Sequence, residues 1–227
     1  MNTKTLFLFA ALTVAAFIPR SSAQLGIKAG VNIASVSENQ TNGVYTDYAK
    51  KSVIGFQGGL TYDLGVSDMF SIQPELLFIQ KGVKSTYILD DANKLESRYY
   101  YNYIEVPVLA KIKFYAADKA STGFYFIAGP YLGLAMGGKV ATTVTALGVS
   151  TERSDDFVFD NSSASARAKR LDYGVAFGGG VKINRLVLDL RYNFGLNNVN
   201  DGDALNSNDN KPFIRQRGIG ITAGIQF

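Results

Sequence analysis

"LGIKAGVNI", Leu25 to Ile33, is the stretch on which the fold turns. Its odd positions, Leu25, Ile27, Ala29, Val31 and Ile33, are all apolar; its even positions, Gly26, Lys28, Gly30 and Asn32, are small or polar. Successive side chains of a strand point to opposite faces, so strict alternation predicts a strand. The apolar face must turn either to a protein core or to lipid, and that choice sets the fold.

The same alternation returns in seven further segments, at 54–64, 69–83, 99–115, 123–137, 170–183, 186–196 and 217–227. In the third segment Phe70, Ile72, Pro74, Leu76 and Phe78 oppose Ser71, Gln73 and Glu75, while Leu77 and Ile79 break the pattern. Pro74 cannot donate a ladder hydrogen bond, so a bulge or local distortion is expected there. Three connections are short, at 65–68, 116–122 and 184–185, and four are long, at 34–52, 84–98, 138–169 and 197–215. Eight tilted segments of about ten residues suit the smallest outer-membrane barrel, with short periplasmic turns and long extracellular loops. The short turns follow the second, fourth and sixth segments, which puts both chain ends on the short-turn side.

The opposing faces settle the direction. One face carries branched aliphatics and aromatics throughout; the other carries Gly, Ala, Ser, Thr, Gln and charges. A soluble ligand carrier would put its bulky apolar residues inside. Small side chains instead suit the cramped bore of an eight-stranded barrel, so the apolar faces are expected to meet lipid. Tyr62, Phe70, Phe114, Tyr192 and Phe194 lie near segment ends on the apolar face, where interfacial girdles belong.

The first residues read MNTKTLFLFAALTVAAFIPRSSAQ: Lys4, an apolar run from Leu6 to Ile18, then Ser21-Ser22-Ala23. This is the pattern of a secretory signal peptide, 1–23, and leaves 24–227 as one barrel domain. The apolar run is 13 residues, short of the ~20 a spanning helix needs. Formal charge is +4, but Lys4 and Arg20 lie in that leader; without them 21 basic residues face 19 acids. A near-neutral chain with no basic run gives no support for nucleic-acid binding. Cys and His are both absent, which excludes disulfides, thiol catalysis, the Ser-His-Asp constellation and His-based metal ligation.

The phase of the segments places ten charges in the bore: Lys28, Lys111, Lys113, Lys182 and Arg191 against Asp63, Glu75, Glu105, Asp172 and Asp189. The third and seventh strands of an eight-membered ring are opposite, so Glu75 and Arg191 are expected to meet across the lumen, with Lys111 beside Glu75. Confined charges must be paired or solvated. Lys28, Glu75, Glu105, Lys111, Asp189 and Arg191 therefore form a candidate network, either a structural plug or a gate in which Arg191 exchanges acidic partners.

The sequence resembles the Bacteroidetes outer-membrane β-barrel family that includes PorT-like proteins, often called porin family proteins. The residues that carry the resemblance are GIKAGVN (26–32), GFQGGLTYDL (55–64), SIQPELLFIQKG (71–82), YIEVPVLAKIKF (103–114), FIAGPYLGL (126–134) and DLRYNFGL (189–196). Terminal Phe227 resembles the aromatic end read by bacterial barrel-assembly machinery. The resemblance implies an all-β, eight-stranded antiparallel up-and-down transmembrane barrel with both termini periplasmic and four long extracellular loops. It also implies an outer-membrane location. The chain as a whole reads as a structural, adhesive or secretion-associated protein acting through its loops or periplasmic turns, with a narrow porin or gated channel as the alternative.

No enzyme, catalytic residue, cofactor or metal is expected. The acids of "DGDALNSNDN" (201–210) lack the frame of a calcium loop, and the in-strand "GGG" (178–180) does not precede a helix as a phosphate loop would. Gly179 falls on the lipid face. Tyr99, Tyr100 and Tyr101 read as a strand-end girdle, or else a binding face. The expected partners are outer-membrane lipid, the assembly machinery during insertion, and a protein met through the extracellular loops or periplasmic turns; the barrel is expected to be a monomer.

Overall fold

The structure, a computed structural model, describes residues 23–38, 47–90, 93–116, 119–157, 170–198 and 214–227. The alternating segments become strands: β1 (Ala23–Glu38), β2 (Asp47–Lys51), β3 (Val53–Gly65), β4 (Phe70–Asp90), β5 (Asn93–Ala116), β6 (Lys119–Ala146), β7 (Val149–Phe157), β8 (Leu171–Ile183), β9 (Leu186–Gly195) and β10 (Ile214–Gln226). Every pairing is antiparallel. β1 pairs with both β3 and β10, and β3, β4, β5, β6, β8, β9 and β10 follow in order, so eight strands close a ring. Closure leaves no open edge in the ring, which a bilayer requires. β2 and β7 stand outside the ring, on β4 and β6.

Both described chain ends lie at the end of the ring that holds the turns 66–69 and 184–185. Ala23 sits opposite Leu64, the Gln226 N–H donates to the Arg185 carbonyl at 2.8 Å, and the Phe227 N–H donates to the Leu25 carbonyl at 2.8 Å. The proposed leader lies outside the described residues save Ala23, as does the acidic stretch 201–210.

The faces fall as the opening stretch predicts. Leu25, Ile27 and Val31 are exposed, whereas Gly26, Lys28 and Asn32 are buried. On β9, two strands round the ring, Leu186, Leu188 and Leu190 are exposed while Asp189 and Arg191 are buried. Apolar outside and ionic inside inverts a soluble domain, and an apolar outer wall on every strand of the ring calls for hydrocarbon. No helix among the described residues is long and apolar enough to cross a membrane.

The bore is filled from one side. β4, β5 and β6 supply Leu77, Ile79, Tyr103, Leu109, Tyr125 and Tyr131, all buried. The adjoining wall is thinned by glycine: Gly174 of β8 is the register partner of Tyr131, and a Cβ on it would sit 2.8 Å from the Tyr131 hydroxyl. Gly179, on the lipid face, has Phe126 opposite it, and a Cβ there would lie 3.3 Å from that ring. The Phe126 ring thus covers the gap on the lipid side. Phe114 and Phe124 stack beside it at 4.9 Å, within an aromatic group near the short-turn end.

One expectation holds in part and two need correction. At Pro74 the distortion is present, since the β4–β5 ladder loses its pairs at Glu75 and Leu76, but it is not a bulge, because the register is the same before and after. The bulge falls instead at Met136, where Asn102 pairs with Gly137 but Tyr103 with Ala135; the extra residue re-aims the far half of β6. The spans 84–98 and 138–157 are strand rather than loop. β4 and β5 continue as a hairpin, and β6 turns at Leu147-Gly148, both at positive φ, into β7. Both positive values fit a two-residue hairpin turn. The result is a five-stranded sheet, β2-β4-β5-β6-β7, rising beyond the ring. Lastly, Tyr99 and Tyr101 are not girdle residues: they stack on each other at 6.4 Å, and Tyr101 packs inward against the buried Ile79–Tyr103–Ala135 cluster.

Candidate functional site

Glu75 is the centre of the lumen. It projects from β4, the strand diametrically opposite β9 in the ring. Arg191 on β9 reaches it with two hydrogen bonds, Nη1 to Oε2 at 2.7 Å and Nη2 to Oε1 at 2.9 Å. Lys28 on β1 donates to Glu75 Oε1 at 2.8 Å and lies 3.4 Å from Asp189. Asp189 accepts from the Tyr125 hydroxyl of β6, two strands away, and from Thr222 of the neighbouring β10. Five strands, β1, β4, β6, β9 and β10, are thus tied together around two acids and two bases, all buried.

A second tier lies nearer the short-turn end. Lys111 donates to Asp63 at 2.9 Å and to Gln73 at 2.9 Å, with Lys113 3.4 Å from the same carboxylate. Lys111 therefore does not lie against Glu75 as expected. Its register partner is Ser71, closer to the turn, and the Glu75 carboxylate is already occupied by Arg191 and Lys28. The link between tiers is Gln73, which accepts from Lys111 and donates to Glu75 at 2.6 Å.

The third tier was not foreseen. Lys81 bridges Glu105 at 2.6 Å and Asp172 at 2.7 Å, all three buried, and its ammonium lies 4.6 Å from the Tyr131 ring centre and 5.2 Å from that of Tyr103. Asn193 donates to the other oxygen of Glu105 at 3.3 Å. The signal for Lys81 was strand parity. Leu77 and Ile79, which broke the polar pattern, are buried on the inward face, and the next inward position is Lys81. Of the ten expected lumen charges eight are buried; Lys113 and Lys182 are half-buried near the short-turn end, where Lys182 donates to Gln24 at 2.7 Å.

Such an arrangement can lock or gate. The cavities beside Lys28 and beside Lys81 are small, and among the described residues no group of three or more Asp or Glu is placed to hold a metal ion. Phe227, the candidate assembly signal, is exposed at the seam between β1 and β10.

The protruding sheet is the other candidate. On its β4–β5 hairpin, Glu96 is held by Lys84 and Arg98 at 2.7 Å each and by Lys94 at 3.5 Å. This cluster lies beyond the apolar band. There the Lys84 ammonium bonded to it, together with the Arg98 guanidinium, holds the Glu96 carboxyl below the usual carboxylate range. At the far edge β7 exposes Glu152, Asp156 and an Arg153–Asp155 pair at 2.8 Å.

The family described as "Outer membrane protein beta-barrel domain" matches residues 15–201 of the chain. No curated protein matches the sequence. Among solved structures, the chain is similar to Ail, the attachment invasion locus protein of Yersinia pestis, at 16% identity over 91% of this chain and 99% of that one, TM-score 0.41. It is similar to the outer membrane protein OprG from Pseudomonas aeruginosa at 15% identity over 91% and 96%, TM-score 0.48. It is also similar to the outer membrane enzyme PagL at 12% identity over 88% and 98%, TM-score 0.42.

Proposed function

Because this chain belongs to the outer membrane protein beta-barrel domain family, we propose that it is a non-enzymatic, sealed barrel of the bacterial outer membrane whose protruding sheet stands outside the cell. Its role is that of a surface scaffold, adhesive or secretion-associated in the PorT-like sense. The observation that carries the sealed reading is the Glu75–Arg191 fork closed across the full width of the bore, with Lys28 filling the same level. A current would have to separate buried charges joined by a bidentate pair of hydrogen bonds.

A second reading, a narrow gated channel, draws on one feature. Lys28 is already shared between Glu75 and Asp189, so cations at this level have two acidic seats. Purified protein in planar bilayers decides between them. The sealed scaffold predicts silent membranes under applied voltage; discrete openings whose conductance changes in Glu75→Ala would replace it with the gate.

Orientation has its own measurement. The chain has no cysteine, so Leu147→Cys, at the exposed tip of the β6–β7 hairpin, gives a single label site. A membrane-impermeant maleimide should modify it on intact cells. Labelling only after the outer membrane is breached would turn the barrel over.

A further inference from the structure

The outward face of the protruding sheet carries a charge pattern that the lumen does not explain. Cross-strand partners share a face, and the ladder sets Lys51 opposite Lys84 and Lys84 opposite Arg98. Three cations therefore sit side by side on β2, β4 and β5. Two residues nearer the ring, the Met136 bulge brings Lys139 of β6 onto the same face, opposite Tyr100. Lys94 lies on that face too, four residues beyond Arg98. Against these five cations, the one carboxylate among the described side chains of the hairpin is Glu96, already engaged by three of them. Lys51 and Lys139 are exposed and have no ion-pair partner among the described residues. The acids of this face, Glu152 and Asp156, stand on β7, across from Thr143 and Lys139. Like charges directly opposite one another destabilise a sheet, so this row is a place where an anion would relieve repulsion.

Its height matters as much as its charge. Phe78, Ile104 and Leu134 form the last apolar row of the outer wall on these three strands. Lys84 lies six residues further along β4 than Phe78, roughly 20 Å along the strand and roughly 15 Å above that row at the usual barrel tilt. Lys139 is lower, and long basic side chains reach back toward the interface. The face is the upward continuation of the lipid-facing wall, so what lies against it is the headgroup layer rather than hydrocarbon.

We propose that the outward face around Lys51, Lys84, Arg98 and Lys139 is a binding site for the phosphate-bearing headgroup of an outer-leaflet glycolipid. The choice of leaflet rests on the orientation given above; the site itself does not. Phosphate oxygens accept from the Lys51 and Lys139 ammonium groups, while Lys84 and Arg98, tied to Glu96, fix the floor of the site. A lipid held here would brace the protruding sheet against the membrane surface.

The test uses full-length protein in nanodiscs, where both leaflets are alike and orientation drops out. The probe is lipid A carrying its phosphates, against dephosphorylated lipid A, in a phosphatidylcholine background, with bound lipid counted by native mass spectrometry. Wild-type protein should retain the phosphorylated form preferentially. Lys51→Gln with Lys139→Gln should weaken retention by about fivefold per lysine, and Lys51→Arg with Lys139→Arg should keep it. Neither substitution strands an acid, and folding is checked by heat-modifiable gel mobility. Equal retention of the two lipids, or retention unchanged in the glutamine variant, would overturn the site. So would full displacement by millimolar inorganic phosphate, which would mark a site for free anion instead of lipid.

Discussion

Glu75→Ala is expected to destabilise the barrel by about 3–5 kcal/mol. The mutation removes the acceptor for two buried cations at once: Arg191 loses both guanidinium bonds, and Lys28 keeps only the longer contact to Asp189. Stranding a charge in a buried site costs far more than the intact pair gains. Unfolding in urea, followed by the mobility difference between folded and unfolded barrel, reads the effect directly. The exposed Arg153–Asp155 pair is the internal control; Arg153→Ala should move the midpoint hardly at all, because solvated pairs contribute about 0–1 kcal/mol. A double variant, Glu75→Leu with Arg191→Met, should recover much of the loss by removing both charges together. A Glu75→Ala midpoint equal to wild type would mean that the bore is wet, and the sealed reading would go with it.

Lys81→Met carries a comparable penalty, about 3–5 kcal/mol, with the opposite charge left behind. Glu105 and Asp172 are both completely buried, and Lys81 is the cation bonded to each. Methionine fills a similar volume over the Tyr103 and Tyr131 rings, so loss of packing contributes little and the change isolates the ion triad. Adding Glu105→Gln and Asp172→Asn to Lys81→Met removes the unpaired negative charge and should return most of the stability. If the single and triple variants unfold at the same denaturant concentration, the three charges are not coupled.

These experiments address residues that differ in how visible they were. Glu75 and Arg191 were legible because both lie on cleanly alternating strands whose positions in an eight-membered ring are opposite. Lys81 was hidden by Leu77 and Ile79. In a strand whose inward face is otherwise polar, two large apolar residues look like a loss of pattern. They point inward because the glycine-thinned wall of β8 and β10 leaves volume that β4 and β5 must fill, and that need is set by partners a hundred residues away. The protruding sheet was hidden for a different reason. Its strands rise out of the membrane with polar residues on either side, so 138–157 shows no apolar face and reads like loop. Its β-rich composition, with Val140, Thr142 and Val144 on one parity, was the only local sign.

The sequence alone determined the strands of the ring, their number, and which face of each meets hydrocarbon, because a period of two is a local property and the bilayer imposes one sign on it throughout. Tertiary structure alone decided which acid each base found. Strand stagger sets the height of every side chain in the bore, and that height gave Lys111 to Asp63, left Glu75 to Arg191 and Lys28, and put Lys81 between Glu105 and Asp172. Pairing across a closed ring depends on the register of all eight strands together, a quantity no single stretch of chain contains.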